Sequence, residues 1–292
     1  MVASKCKRQA TVVLSCLLIA YMVLSMVLQA LAGSVDASLL AFPTGLALGV
    51  SAIGFLFVLD REFEDKEWER QLRSRGAACV ILVLAVVCSI IGGSLPSSAS
   101  FHTSWWLLAV LLLLEAHLTL VLIHRLRKCR LGSNGSFFLV HIGLWLALFS
   151  AIVGEGDTSD IRALVRVGEN ISTGISVDGK VRPLGYSLQL YDLKADTDAS
   201  GMPVQYEAVI AVDSLPLRLA VNAPVSVGLA EDIYLSGYLP AENADGDKSA
   251  SCILQIVRQP WKYPMLAGLI LLMAGMVWYV FTVKPKGRAM PC

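Results

Sequence analysis

Charged residues are scarce in this sequence. Only 16% of its 292 residues are Asp, Glu, Lys or Arg, and 55% are hydrophobic, whereas a soluble globular protein carries about 25% charged residues. The formal net charge is only +1, so the composition predicts no nucleic-acid partner. Most of the chain is therefore expected to be surrounded by membrane lipid.

Paired cysteines are also missing. None of the seven cysteines stands in a Cys-x-x-Cys motif, which excludes the common zinc and thioredoxin signatures. Only Cys252 falls within residues 155–262, so that segment cannot close an internal disulfide. Most of the cysteines are expected to act as small buried hydrophobic residues.

Residues 155–262 lack the motifs of soluble enzymes. They contain no histidine, no glycine-rich phosphate loop and no Gly-x-Ser-x-Gly sequence, which are the usual signs of phosphate binding or serine hydrolysis. The acidic residues fall in predicted loops and at strand edges. This segment is therefore expected to bind or position a partner rather than to hold an active site.

Long apolar runs are the main feature that is present. A helix needs roughly 20 apolar residues to cross the hydrocarbon core, and lipid requires every backbone polar group to be satisfied within the segment. Six runs meet or approach that length: 10–32, 39–59, 77–95, 104–124, 136–154 and 263–283. They predict an all-α membrane bundle of about six helices.

Lysine and arginine mark one side of this predicted bundle. They occur at the N-terminus, in the loops after the second and fourth spans and at the C-terminus, and are absent from loops 33–38 and 96–103. Because basic loops stay in the cytoplasm, we expect a multi-pass protein of the bacterial inner membrane with both termini cytoplasmic. The chain then reads as residues 1–59, 77–154 and 263–292 in and beside the membrane, with 60–76 as a solvated cytoplasmic connector. The basic start followed by an apolar run also resembles a cleavable signal, which would leave five spans in the same orientation.

Residues 155–262 are predicted to form an extracytoplasmic β-rich domain. Stretches such as 186–191, 204–212 and 252–257 alternate apolar and polar residues, and turn sequences separate them. About 100 residues are enough for one small core, most simply an antiparallel sandwich or open barrel.

Two histidines inside the predicted spans are the leading site residues, because ionisable groups in lipid are costly and usually functional. At about 1.5 Å per residue, His117 and His141 should lie at similar depths in consecutive antiparallel helices. A neutral imidazole is a good axial ligand for haem iron. The alternative is that each histidine makes a hydrogen bond between helices. His102 and His124 are predicted to lie at the two ends of the fourth span.

Glu115 lies near the middle of the fourth span. Such a carboxyl could serve a proton-coupled transporter, but no other feature of a transporter accompanies it. A structural hydrogen bond between helices is the simpler expectation.

From about residue 101 to 283 the sequence resembles the ResB family of cytochrome c biogenesis proteins. The resemblance depends on short features in a fixed order around one soluble domain. They are Phe101-His-Thr-Ser-Trp-Trp106, Val140-His-Ile-Gly-Leu144, the segment 161–169, the segment 183–192, Ile233-Tyr-Leu-Ser-Gly-Tyr238 and Arg258-Gln-Pro260.

This resemblance implies a part in moving haem across the membrane and attaching it to apocytochrome c. It implies a CcsA-type membrane partner, transiently bound haem b, and His141 as the residue that matches the family's haem ligand within the membrane. The chain has no tryptophan-rich CcsA segment and two extra spans, so it is expected to be a subunit of a haem lyase complex rather than a complete enzyme. The alternative is a non-catalytic scaffold whose outer domain docks another envelope protein.

Overall fold

The computed structural model describes residues 2–94, 103–128, 135–197, 203–239 and 250–282. His102 and the turn that precedes Gly135 lie outside these ranges. The chain divides into two compact units, one made of Met1–Gly156 with Tyr263–Cys292, and the other of Asp157–Lys262.

The first unit is helical. A short 3₁₀ turn at Ala37–Leu40 precedes the second helix. Its α-helices within the described residues are α1 (Val2–Ala32), α2 (Thr44–Phe63), α3 (Glu67–Leu72), α4 (Arg75–Ser94), α5 (Trp105–Lys128), α6 (Gly135–Asp157) and α7 (Lys262–Thr282).

Five of these helices, α1, α4, α5, α6 and α7, are long and apolar enough to cross a membrane. They correspond to five of the six predicted spans. The sixth prediction, 39–59, falls on the 3₁₀ turn and α2, which is not among the five and which ends in the charged run Asp60-Arg61-Glu62. The predicted class, a helical membrane bundle with a β-rich domain, is confirmed.

Helix α2 nevertheless packs along the bundle from end to end. A Cβ on Gly45 would lie 2.9 Å from Val153, and one on Gly49 would lie 2.6 Å from the Phe149 ring. At the opposite end of α2, Asp60 contacts His124. The 20 residues of α2 reach about 30 Å, the thickness of the hydrocarbon core.

Helices α6 and α7 touch along their backbones through glycines. A Cβ on Gly268 would lie 2.7 Å from the Ala147 nitrogen, and one on Gly275 would lie 2.7 Å from the Val140 nitrogen. The carbonyl oxygen of Gly143 lies 2.8 Å from the same Gly268 position. Small residues allow such close approach, which is how helices gain van der Waals contact in lipid.

Segment 60–76, predicted as a solvated connector, is mostly exposed or half-buried but contains two buried carboxylates. It contains the end of α2 and the whole of α3, and the side chains of Asp60 and Glu69 are fully buried. Buried carboxylates require counter-charges, and these come from α5 and from Arg73. A run of alternating charges in sequence cannot reveal this, because burial depends on which helices pack against it.

The second unit is one antiparallel sheet. Its order is β5-β4-β3-β2-β1-β8-β7-β6, so its two edge strands, β5 and β6, follow each other in the chain through the turn that contains the Ala220–Ala223 bridge. The sheet is a nearly closed barrel. Of the two predicted alternatives, a sandwich or an open barrel, it corresponds to the barrel. The strands are β1 (Ser159–Arg166), β2 (Asn170–Ser176), β3 (Val181–Thr197), β4 (Pro203–Val212), β5 (Leu215–Ala220), β6 (Val225–Ser226), β7 (Glu231–Leu239) and β8 (Ser251–Arg258).

The barrel core follows from the alternation along each strand. In β8, Cys252, Leu254 and Ile256 are buried, while the residues between them are partly exposed. Successive side chains of a strand point to opposite faces, so the same phase repeated in β1, β3, β4 and β7 fills one interior. The larger wholly buried side chains there include Leu188 and Ile210.

We expect Gly268→Leu to weaken the helical unit by about 1–3 kcal/mol, because the new side chain would have to enter the backbone of α6. Thermal unfolding of the purified protein in detergent measures the change. Gly54→Leu is the matched control, since a Cβ there meets nothing within 4 Å. Equal losses in the two variants would show that the α6–α7 contact does not hold the unit together.

Cys252 is expected to resist thiol reagents in the folded protein. Burial raises the pKa of its thiol to about 12, so at pH 8 only about one molecule in 10,000 carries the reactive thiolate. Labelling with N-ethylmaleimide, followed by peptide mass spectrometry, should find Cys252 unmodified at pH 8 and modified after denaturation. Rapid labelling of the native protein would mean that the barrel core is open to solvent.

Candidate functional site

A cavity of about 830 Å³ lies at one end of the helical unit, between α3, α4, α5 and α6. Its volume falls within the range of roughly 300–1,000 Å³ that is usual for ligand sites. It is lined by Glu64, Asp65, Arg70, Arg73, Ser74, Arg75, Ala78, His117, Val121, His124, Arg125, Lys128, Phe137 and His141. We refer to it as the histidine cavity.

His117 enters the histidine cavity from α5 and is largely buried. Its Nδ1 lies 2.8 Å from the carbonyl oxygen of Leu72, the last residue of α3. A carbonyl can only accept, so Nδ1 carries a proton, and in the neutral ring Nε2 keeps its lone pair. The contact holds the ring to α3 and leaves one nitrogen able to bind a metal.

His141 enters the cavity from α6. Its Nδ1 donates to the carbonyl of Phe137 at 2.8 Å, and its ring stacks on Phe137 with centroids 3.9 Å apart. Its Nε2 therefore also keeps a lone pair. The two predicted histidines line one cavity.

His124 is a third histidine of this cavity, which the sequence had placed only at a helix end. Its Nδ1 lies 3.0 Å from Oδ1 of Asp60. It stands seven residues beyond His117 on α5, about 10.5 Å along the axis. Two groups so far apart cannot bind one metal atom together.

Glu115 does not line the cavity. Its side chain is 9% exposed, and neither carboxyl oxygen has a hydrogen-bond partner in the described part of the chain. The expected hydrogen bond between helices is made one turn away instead, where the Trp145 indole donates to the Thr119 hydroxyl at 2.9 Å.

A network of ion pairs lies beside the cavity and reaches it through Arg73 and His124, which line it. The Asp60 carboxylate accepts from Arg127 at 2.5 Å and lies 3.8 Å from Arg73. Arg73 also pairs with Glu69. Burial raises the pKa of Glu69, and its contacts with Arg73 oppose the shift.

Asp60, Glu64 and His124 could in geometric terms hold a metal ion, since one ligand atom of each lies within 4.8 Å of the others. The carboxylates of Asp60 and Glu64, however, already form ion pairs with basic side chains. Lys128 contacts Glu64 at 3.0 Å, and Arg127 contacts both carboxylates. A divalent ion would have to displace these contacts, so the group acts as an ion-pair network.

Two arginines of the cavity differ from the rest. Among the residues that the structure describes, neither Arg75 nor Arg125 forms an ion pair, whereas Arg73 and Lys128 do. The Arg125 guanidinium lies 4.9 Å over the Phe137 ring, which is a favourable cation–π distance. The cavity thus contains the imidazole rings of His117 and His141 and two guanidinium groups, those of Arg75 and Arg125, that are not paired with a carboxylate among the described residues.

We expect Asp60→Asn to destabilise the protein by about 3–5 kcal/mol, because it removes the fully buried carboxylate charge that Arg73 and Arg127 share and leaves them only their pairs with Glu69 and Glu64. Denaturant unfolding in detergent measures this. Asp178→Asn is the control: its carboxylate is exposed and pairs only with Lys180 and Arg182 at 3.5 and 3.6 Å, so no measurable change is expected. A harmless Asp60→Asn would mean that the network is not structural.

Comparisons with known proteins identify a family for part of the chain. Residues 127–251 match the model of the ResB-like family, which is less than half of the 292 residues. A search of curated proteins found no match.

Among solved structures, a chain named "Cytochrome c Heme Lyase CcmF" aligns with a TM-score of 0.36 and 12% identity, over 71% of this chain and 35% of that chain. This chain thus spans about a third of that protein's length, and a likeness this weak carries no argument. The family match includes the end of α5, all of α6 with His141, and most of the barrel. It confirms the predicted resemblance for residues 127–251, which match the ResB-like family.

Proposed function

We propose that this chain is a ResB-type component of cytochrome c maturation that handles haem in the membrane. In this proposal it works with a CcsA-type membrane protein and helps attach haem to apocytochrome c. The single observation that supports it most is the histidine cavity, which His117 and His141 both line, in a chain whose residues 127–251 match the ResB-like family.

The donor atoms of the cavity suit haem b. His141 and His117 each have Nδ1 turned to a carbonyl, at 2.8 Å in both cases, so each has Nε2 available for iron. His141 is the first ligand of the proposal because it lies in the ResB-like segment. His117 is favoured over His124 as the second, since the His124 ring is held 3.0 Å from the Asp60 carboxylate.

The arginines of the cavity suit the propionate end of haem. Haem carries two propionate carboxylates, and an arginine side chain binds a carboxylate through paired hydrogen bonds. Arg75 and Arg125 are the cavity cations without an ion pair among the described residues, and they would receive the propionates. Ala78, Val121 and Phe137 supply apolar wall for the porphyrin.

Haem in this role is cargo, and it supplies the vinyl groups to which the cysteines of apocytochrome c are joined. What the chain's own residues would do is bind haem, orient it and shield it from water. The sequence given has no tryptophan-rich segment of the CcsA type. We therefore propose that the joining reaction takes place in a complex with the partner.

The orientation follows the distribution of basic residues. The cavity lies at the end of the bundle that carries Arg70, Arg73 and Arg75, which the positive-inside rule places in the cytoplasm. Because α2 contacts α6 near Gly45 and Gly49 and contacts α5 through Asp60 at its other end, we propose that α2 also crosses the membrane, giving six spans. The barrel then lies outside, with both termini in the cytoplasm.

We expect purified wild-type protein to carry b-type haem that His141→Ala and His117→Ala variants lose. The measurement is the visible spectrum before and after dithionite, with haem quantified as its pyridine complex. If the two histidines hold the haem, removing either should lower the haem content and change the reduced spectrum, and added imidazole should restore both by filling the vacated space.

His124→Ala is the matched control, because the same substitution is made in the same cavity at the histidine that Asp60 holds. It should keep its haem. Loss in His124→Ala with retention in His117→Ala would reassign the second ligand. A wild type without haem, produced with its partner and ample haem, would overturn the proposal and leave the alternative, a scaffold whose outer domain docks an envelope protein.

A further inference from the structure

Strand β1 presents two arginines and a leucine on the outer side of the barrel. Its inward side chains include those of Ala163 and Val165, which are buried in the core. Successive side chains of a strand point to opposite faces, so Arg162, Leu164 and Arg166 point outward. All three are exposed.

The strand register places apolar side chains beside this row. Ile175 of β2 lies opposite Arg162, and Val181 of β3 lies opposite Ile175. On the other side of β1, Ile253 of β8 lies opposite Leu164. Directly opposite residues have their Cβ atoms about 5 Å apart, so these side chains form one continuous surface. We call it the Leu164 face, which consists of Arg162, Leu164, Arg166, Ile175, Val181 and Ile253.

The aliphatic members of the Leu164 face are exposed together. Leu164 is 53% exposed, Ile175 is 56% exposed and Val181 is 68% exposed, whereas Ile253 is half-buried. Gly237 of β7 lies opposite Ile253, so β7 adds no side chain at this position. Single exposed aliphatic residues are ordinary, but a contiguous set on neighbouring strands is typical of an interaction surface.

The two arginines of this face have no counter-charge among the described residues. The basic residues of the barrel that form ion pairs there are Lys180, Arg182, Lys194 and Lys262. Asp160 lies two residues before Arg162, but its Oδ2 accepts a hydrogen bond from Gln255 at 2.7 Å. The Glu169 carboxylate accepts from the backbone nitrogen of Arg166 at 3.1 Å, not from its guanidinium group. Both guanidinium groups are therefore available to a partner.

The net charge of the domain indicates what kind of partner fits. Residues 157–262 contain 14 acidic and 9 basic residues, so the domain as a whole is negative and would be repelled by an anionic lipid surface. A single carboxylate of a protein is bound by an arginine through paired hydrogen bonds. Unpaired arginines on one face of an acidic domain therefore favour carboxylates of a partner protein over lipid.

The spacing of the arginines adds a geometric requirement. Four residues of a strand span about 13 Å, and Arg162 and Arg166 are four residues apart on either side of Leu164. A partner needs two carboxylates at a comparable separation with an apolar side chain between them. An extended segment meets this requirement with acidic residues at positions i and i+4 and an apolar residue at i+2, because all three point to one face.

We propose that the Leu164 face binds an extended segment of a partner protein with the pattern acidic-x-apolar-x-acidic. Leu164, Ile175 and Val181 contact the apolar side chain, and Arg162 and Arg166 bind the two carboxylates. This proposal concerns only the outer surface of the barrel and does not depend on haem binding, so either proposal can fail without the other.

The first test places the photoreactive residue p-benzoylphenylalanine at position 164 or 175 of the full-length protein in the membranes of the cells that produce it. Position 215 is the matched control, because Leu215 is 62% exposed and begins β5, outside the Leu164 face. After illumination, mass spectrometry identifies the attached peptide. We expect a protein segment with the proposed acidic pattern at positions 164 and 175, at several times the level of any adduct at 215.

The second test reverses the charges. Arg162→Glu and Arg166→Glu should each lower the adduct at position 175 by about tenfold or more, because carboxylates would then face carboxylates. Arg218→Glu is the control, since Arg218 is an exposed arginine on β5. Replacing the two carboxylates of the attached segment with lysine should restore the adduct in the double variant of Arg162 and Arg166.

Four outcomes would overturn the proposal. Lipid adducts at 164 and 175 would make this face a membrane surface, and adducts to this chain's own helices would mean that the chain itself covers the face. Adduct levels no higher than at 215, or a protein adduct that charge reversal leaves unchanged, would exclude recognition by the arginines. Protection of Cys252 from N-ethylmaleimide checks that each variant is folded, and Arg162→Gln and Arg166→Gln replace any variant that is not.

Discussion

The backbone contact between α6 and α7 is the constraint on which the rest of the molecule depends. These helices lie on either side of the whole barrel segment in sequence, yet Gly143, Gly268 and Gly275 bring them to within contact of each other's backbones. In lipid there is little hydrophobic gain from bringing two helices together, so close packing of small residues has to supply it. The same contact positions the site, because Val140 and Gly143 pack on α7 and His141 lies between them in sequence.

The cavity end of the bundle illustrates a second constraint, the cost of burying charge. Asp60 and Glu69 are fully buried, and their stability there requires arginines at close range. Arg73 and Arg127 form those ion pairs, and Lys128 pairs with Glu64. Arg75 and Arg125 are left facing the cavity without carboxylates, so the ion pairs that hold the helices together also decide which cations remain for a ligand. Structure and binding chemistry are thus set by one network.

Parts of this arrangement could be predicted because their signals are local. Apolar runs of about 20 residues predict helices in lipid, and alternation such as that of Cys252, Leu254 and Ile256 predicts a strand with one buried face. The depths of His117 and His141 follow from helix rise alone. The partners of these residues could not be predicted. Nothing near His117 in sequence indicates that the Leu72 carbonyl, 45 residues away, orients its ring, and the charges of segment 60–76 looked like a solvated surface.

By itself the sequence determined that this is a membrane protein with one β-rich domain, and that histidines lie within its apolar helices, because hydropathy and alternation act over a few neighbouring residues. Only the tertiary structure decided that the sheet closes into a barrel, that Asp60 and Glu69 are buried, that Glu115 has no partner among the described residues, and that three histidines share one cavity. Each of these depends on contacts between segments far apart in the chain. Such contacts are selected by packing and by the pairing of buried charge, which no local pattern records.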